Sequence, residues 1–82
     1  MTGLVFKSAS RRTSRIIQGQ RVYKVEKDII LQEGEKIRKG EQFYLDNLHN
    51  DHLEVFDARG RAIMKVDLAG KKLGDLPSNR RI

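Results

Sequence analysis

Three short runs in the middle of the chain alternate apolar and polar residues with a period of two. They are Gln42–Asp46, His52–Asp57 and Ala62–Asp67. Alternation of this kind predicts half-buried strands. The loops between the runs are short, and Gly60 in the second loop suits the backbone of a turn. The sequence therefore predicts an antiparallel meander of three strands.

Side-chain parity predicts which residues of this meander lie opposite each other. If both loops close symmetrically, one face is apolar throughout. Its pairs are Leu45–Leu53, Phe43–Val55, Leu53–Val66 and Val55–Met64. A shift of one residue would bury the polar side chains instead, so we expect the apolar face to form the core.

The other face of the meander carries two transverse rows of titratable residues. The rows are Tyr44–Glu54–Lys65 and Asp46–His52–Asp67, and His49 and Asp51 lie in the loop beside the second row. Neighbours across strands lie about 5 Å apart. This face is therefore where we expect chemistry.

The N-terminal segment is predicted to form a short helix over Ser8–Gln18 with a serine as N-cap. Three arginines share one face of that helix, because residues three and four apart are neighbours. They are Arg11, Arg12 and Arg15, and we expect them to bind RNA phosphates. The alternative for this segment is a flexible basic tail.

The remaining segments complete one small domain over residues 1–82, with a basic N-terminal segment at 1–20 and a sheet core at 21–82. Arg21–Val25 is predicted as a strand, and Glu33–Gly40 as a turn-rich connector. Leu73 is expected to begin a last short strand, and Pro77–Ile82 to form an irregular basic tail. The predicted fold class is α+β, an antiparallel sheet with a short N-terminal helix.

Charge is unevenly distributed along the chain, whose net charge is +6. The segment 7–24 has six basic residues and no acid, whereas 41–57 has five acids, two histidines and no lysine or arginine. This segregation favours a nucleic-acid partner held by basic residues. With no cysteine, disulfides and thiolate zinc sites are excluded. No membrane span, signal peptide or cofactor motif is recognised, so we expect a cytoplasmic site of action, either alone or as part of a larger exported protein.

The residues of the polar face suit metal-independent cleavage of RNA. A base removes the proton of the ribose 2′-hydroxyl, the oxygen attacks phosphorus, and an acid protonates the departing 5′-oxygen. Glu54, one of the histidines and Asp46 supply a base, an acid and an orienting carboxylate. A carboxylate beside a histidine favours the protonated imidazole. Lys65 or an arginine of the tail would stabilise the phosphorane charge.

Three alternatives remain at this point. The rows are also consistent with surface ion pairs, which contribute about 0.2–1 kcal/mol each. A metal site from Asp46, His49, Asp51 and His52 is the second alternative, and no recognised ligand spacing supports it. A non-catalytic RNA- or ribosome-binding domain is the third, but a pure binder gains nothing from acids on its binding face.

The same residues resemble the cytotoxic ribonuclease domain of E-type colicins that cut 16S ribosomal RNA, a domain type also found in contact-dependent growth-inhibition toxins. The resemblance covers about residues 38–82. It rests on the segments Phe43–His49, Leu53–Asp57, Gly60, Val66–Gly70, Pro77 and Arg80–Ile82. The chain departs from the family by one extra residue between His49 and Glu54.

The resemblance implies a highly twisted antiparallel sheet, cleavage at the ribosomal decoding site, and neutralisation by an acidic immunity protein. Carried onto this chain, Glu54 would be the general base, His49 the general acid, Asp46 a supporting carboxylate and Arg80 a phosphate-stabilising cation. Strand geometry instead favours His52 as the acid, so the two histidines stay alternatives. Tyr44 and Arg81 are expected to contact RNA. A toxin ribonuclease for tRNA or another RNA is the second enzymatic reading.

Overall fold

The computed structural model describes residues 6, 8–45, 52–77 and 79–82. Its strands are β1 (Ser10–Ile17), β2 (Gln20–Val25), β3 (Ile29–Ile30), β4 (Lys36–Ile37), β5 (Gln42–Leu45), β6 (His52–Phe56), β7 (Ala62–Asp67) and β8 (Lys72–Asp75). Six of them form one antiparallel sheet in the order β1-β2-β5-β6-β7-β8. The β3–β4 hairpin is inserted between β2 and β5 and forms a separate two-stranded sheet.

The predicted N-terminal helix is wrong, and with it the α+β class. Strands make up 57% of the structure and helical residues 3%, and the described part contains no helix. The segment expected to be helical is β1, which pairs with β2 through a two-residue turn at Gln18 and Gly19. Both turn residues have positive φ, at 52° and 80°. That is the turn conformation that matches the twist of a tight hairpin.

The central meander is confirmed in its register. Leu45 pairs with Leu53, Phe43 with Val55 and Tyr44 with Glu54. On the next ladder Leu53 pairs with Val66, Val55 with Met64, Glu54 with Lys65 and His52 with Asp67. Alternation therefore predicted the facing pairs correctly, because each strand has one apolar side to bury. The connector at 33–40 differs from the prediction, since it contains β4.

Both faces of the large sheet are covered. The first apolar cluster contains Phe43, Leu53, Val55, Met64 and Val66, and it is closed by Phe6, Val25, Ile29, Leu31 and Ile37. The second cluster, on the face that carries Glu54, contains Val22, Tyr44, Phe56 and Ala62, with Ile17, Leu76 and Ile82 packed against it. Burying an aliphatic or aromatic side chain contributes about 1.5–3 kcal/mol. Glu54 thus lies beside a second core.

The C-terminal tail is attached to the turn between β6 and β7. The N–H of Ala62 donates to the carbonyl of Arg80 at 2.9 Å, and the N–H of Ile82 donates to the carbonyl of Gly60 at 2.9 Å. Gly60 has φ of 87°, and a Cβ there would lie 2.5 Å from the carbonyl oxygen of Ile82. Only glycine allows both this backbone conformation and this close approach.

Within the described residues, no helix is long and apolar enough to cross a membrane.

Candidate active site

Glu54 is the centre of a buried polar cluster. Its Oε1 accepts a hydrogen bond from the Tyr44 hydroxyl at 3.0 Å and forms an ion pair with Nη2 of Arg80. Its Oε2 lies 3.5 Å from Nε2 of His52. One carboxylate therefore contacts a phenol and a guanidinium through one oxygen and faces an imidazole with the other.

The four side chains come from three separate parts of the chain. Tyr44 lies on β5 and pairs across the ladder with Glu54. His52 and Glu54 lie two residues apart on β6, so both project from the same face of the sheet. Arg80 arrives from the tail, about 26 residues later in the chain. The meander therefore supplies the phenol, the imidazole and the carboxylate, and the tail supplies the guanidinium.

Arg80 is held in place by three kinds of contact. Its Nη2 also donates to the Tyr44 hydroxyl at 2.8 Å, and its guanidinium lies 5.6 Å from the centre of the Phe56 ring. The Phe56 ring is itself stacked on Tyr44, with 5.8 Å between centroids and 10° between planes. A guanidinium over an aromatic face is attracted by the ring quadrupole. Phe56 therefore serves as a platform that orients Arg80 towards Glu54.

The cluster is largely withdrawn from solvent. Tyr44 is 1% exposed, Glu54 5% and His52 7%, whereas the Arg80 side chain is 36% exposed. Burying a carboxylate costs free energy unless charged and hydrogen-bonding partners compensate it. A small domain that buries such a group on its sheet face forgoes apolar packing there. Burying Glu54 therefore costs more free energy than the exposed ion pairs that the sequence also allowed.

The remaining members of the predicted rows have different positions. Asp46, His49 and Asp51 lie outside the described residues. Lys65 is half-buried opposite Glu54, and among the described residues no hydrogen bond or ion pair involves its amine. Asp67 pairs with His52 in the ladder, but its Oδ1 accepts hydrogen bonds at 2.9 Å from the backbone N–H groups of the following turn. That carboxylate therefore stabilises the β7–β8 turn.

The arginines expected to bind RNA are spread over the surface. Arg11, Arg12 and Arg15 are all exposed on β1, and a strand directs neighbouring side chains to opposite faces. Arg11 and Arg12 therefore do not share the helical face that the sequence suggested. Arg81 is exposed and forms a backbone bridge with Arg61. Tyr44 is buried, and its hydroxyl contacts the cluster.

Two contributors to the site were missed from the sequence. Phe56 follows His52 and Glu54 on the same face with period two, so parity places it beside the site. Its role is to hold the Arg80 guanidinium over its ring. Because Arg80 is distant in sequence, no local pattern predicts that contact. Gly60 was assigned to a turn, whereas its contact with the tail is visible only in the folded chain.

Two surface groups, Asp57 in a turn and Lys72 on the edge strand β8, have pKa values that their neighbours shift. The backbone N–H of Arg61 donates to the Asp57 carboxylate and, with a smaller effect from Arg59, holds the pKa of Asp57 below its usual 3.8. A side-chain hydrogen bond with Asp75 raises the pKa of Lys72 above its usual value. Both groups are on the surface, and both interactions stabilise local structure.

No protein-family model, curated protein or solved structure matches this chain. The geometry of the Glu54 cluster and the resemblance described above are therefore what a functional proposal rests on.

Proposed function

We propose that this domain is a bacterial toxin endoribonuclease that cleaves RNA through attack of the ribose 2′-hydroxyl on the adjacent phosphorus. The observation that carries the proposal is the position of Glu54, which has His52 at one carboxylate oxygen and Arg80 at the other. A base, an acid and a cation on one face are the groups that this reaction needs.

Each group has a defined role in the proposed mechanism. Glu54 accepts the proton of the 2′-hydroxyl, and the freed oxygen forms a bond to phosphorus. His52 in its protonated form donates to the departing 5′-oxygen as the phosphorus–oxygen bond breaks. The products are a 2′,3′-cyclic phosphate and a 5′-hydroxyl. His49 stays the alternative acid, since the resemblance assigns that role to it.

Arg80 is proposed to exchange one anion for another when substrate binds. In the free protein its guanidinium contacts Glu54 and partly covers it. A phosphodiester offers the guanidinium a second oxyanion to bind, in the bidentate geometry that arginine favours. Turning towards the phosphate would uncover Oε1 of Glu54 while keeping positive charge beside phosphorus. The Tyr44 hydroxyl would continue to orient Glu54.

The proposed substrate is 16S ribosomal RNA in the ribosome, at the decoding site. This part of the proposal follows from the resemblance to the colicin and contact-dependent growth-inhibition ribonucleases. The same resemblance implies a cognate acidic immunity protein and delivery into a target bacterium as part of a larger secreted or cell-surface toxin. The basic composition of the chain, with a net charge of +6, suits both RNA and an acidic partner.

Purified bacterial ribosomes, deproteinised 16S RNA and tRNA distinguish the possible substrates. Each is incubated with the domain, and the products are mapped by primer extension. We expect one strong stop near the 3′ end of 16S RNA with intact ribosomes. Cleavage of tRNA alone would identify a toxin ribonuclease of different target, and binding without any cleavage would identify an RNA-binding domain.

A further inference from the structure

A basic groove lies on the same sheet face as Glu54 but outside the Glu54 cluster. It has a volume of about 490 Å³, and its lining includes Arg11, Lys24 and Lys39 together with Glu26 and Gly40. The three basic side chains are exposed. They come from β1, β2 and the turn before β5, so the fold gathers charges that are far apart in the sequence.

The sheet register relates this groove to the Glu54 cluster. Val22 packs in the cluster with Tyr44 and Phe56, and Lys24 lies two residues further along β2, so it projects from the same face. Lys24 pairs with Gln42, which pairs with Phe56. Lys24 is thus two strands across and two residues along from Glu54, a Cα separation of about 12 Å from standard strand spacings.

The other strand of this hairpin, β1, brings Arg11 to the same face. Arg11 pairs directly with Lys24, and paired residues project together. Its Nε lies 3.7 Å from the carboxylate of Glu26, and these side chains are 61% and 54% exposed. An ion pair this exposed contributes little, so the guanidinium can turn to another anion without a large loss.

We propose that this groove binds the phosphodiester backbone of single-stranded RNA beside the cleaved bond, through Arg11, Lys24 and Lys39. The inference rests on the proposed ribonuclease function, which requires a strand to cross the face that carries Glu54. Three cations around an open groove suit the consecutive phosphates of an RNA backbone. Basic grooves of this kind follow the backbone of single strands without reading the bases. The groove is also accessible in the free protein, unlike the buried Glu54.

The test compares two triple variants with equal loss of charge. The first is Arg11→Gln/Lys24→Gln/Lys39→Gln. The matched control is Lys36→Gln/Arg59→Gln/Lys71→Gln, whose positions are also exposed but lie in β4 and in the turns flanking β7. Circular dichroism and melting establish that both variants fold. The probe is a short fluorescent single-stranded 2′-O-methyl RNA, which the proposed reaction cannot cleave, titrated at several salt concentrations.

We expect the groove variant to bind more weakly and with a shallower salt dependence. Each phosphate contact to single strands contributes about −0.7 to the slope of log K against log salt, so three contacts account for about −2. If the affinities converge at about 1 M salt, this is about a 100-fold loss at about 0.1 M. The control variant should lose much less.

Three results would overturn the groove assignment, and a fourth would overturn the ribonuclease proposal alone. Equal losses in the two variants would mean that binding follows total charge, and an unchanged slope would mean that RNA does not use the groove. Both variants are also titrated with polyglutamate, which stands in for an acidic protein. If the groove variant loses binding to polyglutamate while its RNA binding is unchanged, the groove belongs to an acidic protein partner. A native protein that cuts no RNA, beside a groove variant that has lost affinity, would reject the ribonuclease proposal and keep the groove.

Discussion

Replacing Glu54 by glutamine removes the proposed base while keeping the size of the side chain. The loss of a general base lowers a rate by about 10²–10⁴-fold, which corresponds to about 3–5 kcal/mol of transition-state free energy. The glutamine amide keeps a carbonyl oxygen that can accept a hydrogen bond from the Tyr44 hydroxyl, which lies 3.0 Å from Oε1 in the native protein. The change should therefore act on catalysis more than on the fold.

The effect of Glu54→Gln on stability is the difference of two opposing contributions. A hydrogen bond to a charged group contributes about 1.5–3 kcal/mol, but the Arg80 side chain is 36% exposed and can return to water. Removing a buried charge also relieves its desolvation cost. We expect a net change within about 2 kcal/mol, at about 4–8 °C in Tm per kcal/mol.

The assay measures single-turnover cleavage of ribosomal RNA beside thermal melting. Glu33→Gln, at an exposed position in the turn before β4, makes the same chemical change away from the cluster. It should cut at the native rate. A folded Glu54→Gln variant that cuts within about tenfold of the native rate falls short of the range for a general base and would refute the assignment.

Three further predictions concern the tail, the histidines and acid stability. Gly60→Ala should destabilise the fold by more than Gly34→Ala and slow cleavage, because both have positive φ but only Gly60 would press a Cβ against the tail; equal melting shifts would contradict this. Single-turnover rates of His52→Ala and His49→Ala decide which histidine is the acid, and we expect the larger loss at His52. Because the folded pKa of Asp57 is lowered from 3.8, its contribution to stability is present above that value and lost as pH falls through the folded pKa. Asp57→Asn should flatten the acid limb of a stability–pH curve, and an unchanged limb would contradict the assignment.

Alternation predicted the central meander well because each of its strands has a single apolar side to bury. Phe43, Val55 and Met64 must share a face, and that requirement fixes which residues pair. The row Tyr44–Glu54–Lys65 follows from the same parity. Parity therefore placed three of the four side chains of the cluster, Tyr44, His52 and Glu54, on one face.

The N-terminal hairpin was misread because its local signals are ambiguous. The arginines are spaced three and four residues apart, which fits one face of a helix. They are surface residues, however, and a surface pattern is a weak guide to secondary structure because tertiary contacts override it. The turn at Gln18 and Gly19, which lets β1 pair with β2, was treated as a helix end. Hydrogen bonds to a neighbouring strand decided the conformation.

The contact between Arg80 and Glu54 had no local signal either. Strand periodicity ends before the tail, and the tail is positioned by backbone hydrogen bonds to Gly60 and Ala62. Such long-range contacts follow from the closed fold and not from spacing. The residues themselves suggested only Lys65 or some arginine of the tail as the cation, and the resemblance to a toxin ribonuclease singled out Arg80.

The chemistry of the RNA ends tests the central claim most directly. The domain is incubated in excess EDTA with a short RNA oligonucleotide that contains the decoding-site sequence, because ribosomes themselves need Mg²⁺ to stay intact. The fragments are then analysed for their termini. We predict undiminished cleavage with 2′,3′-cyclic phosphate and 5′-hydroxyl ends, because the proposed nucleophile is the 2′-hydroxyl and the proposed base is Glu54. Cleavage that stops on chelation and returns with added metal, leaving 5′-phosphate ends, would show a metal-activated water instead and contradict the mechanism.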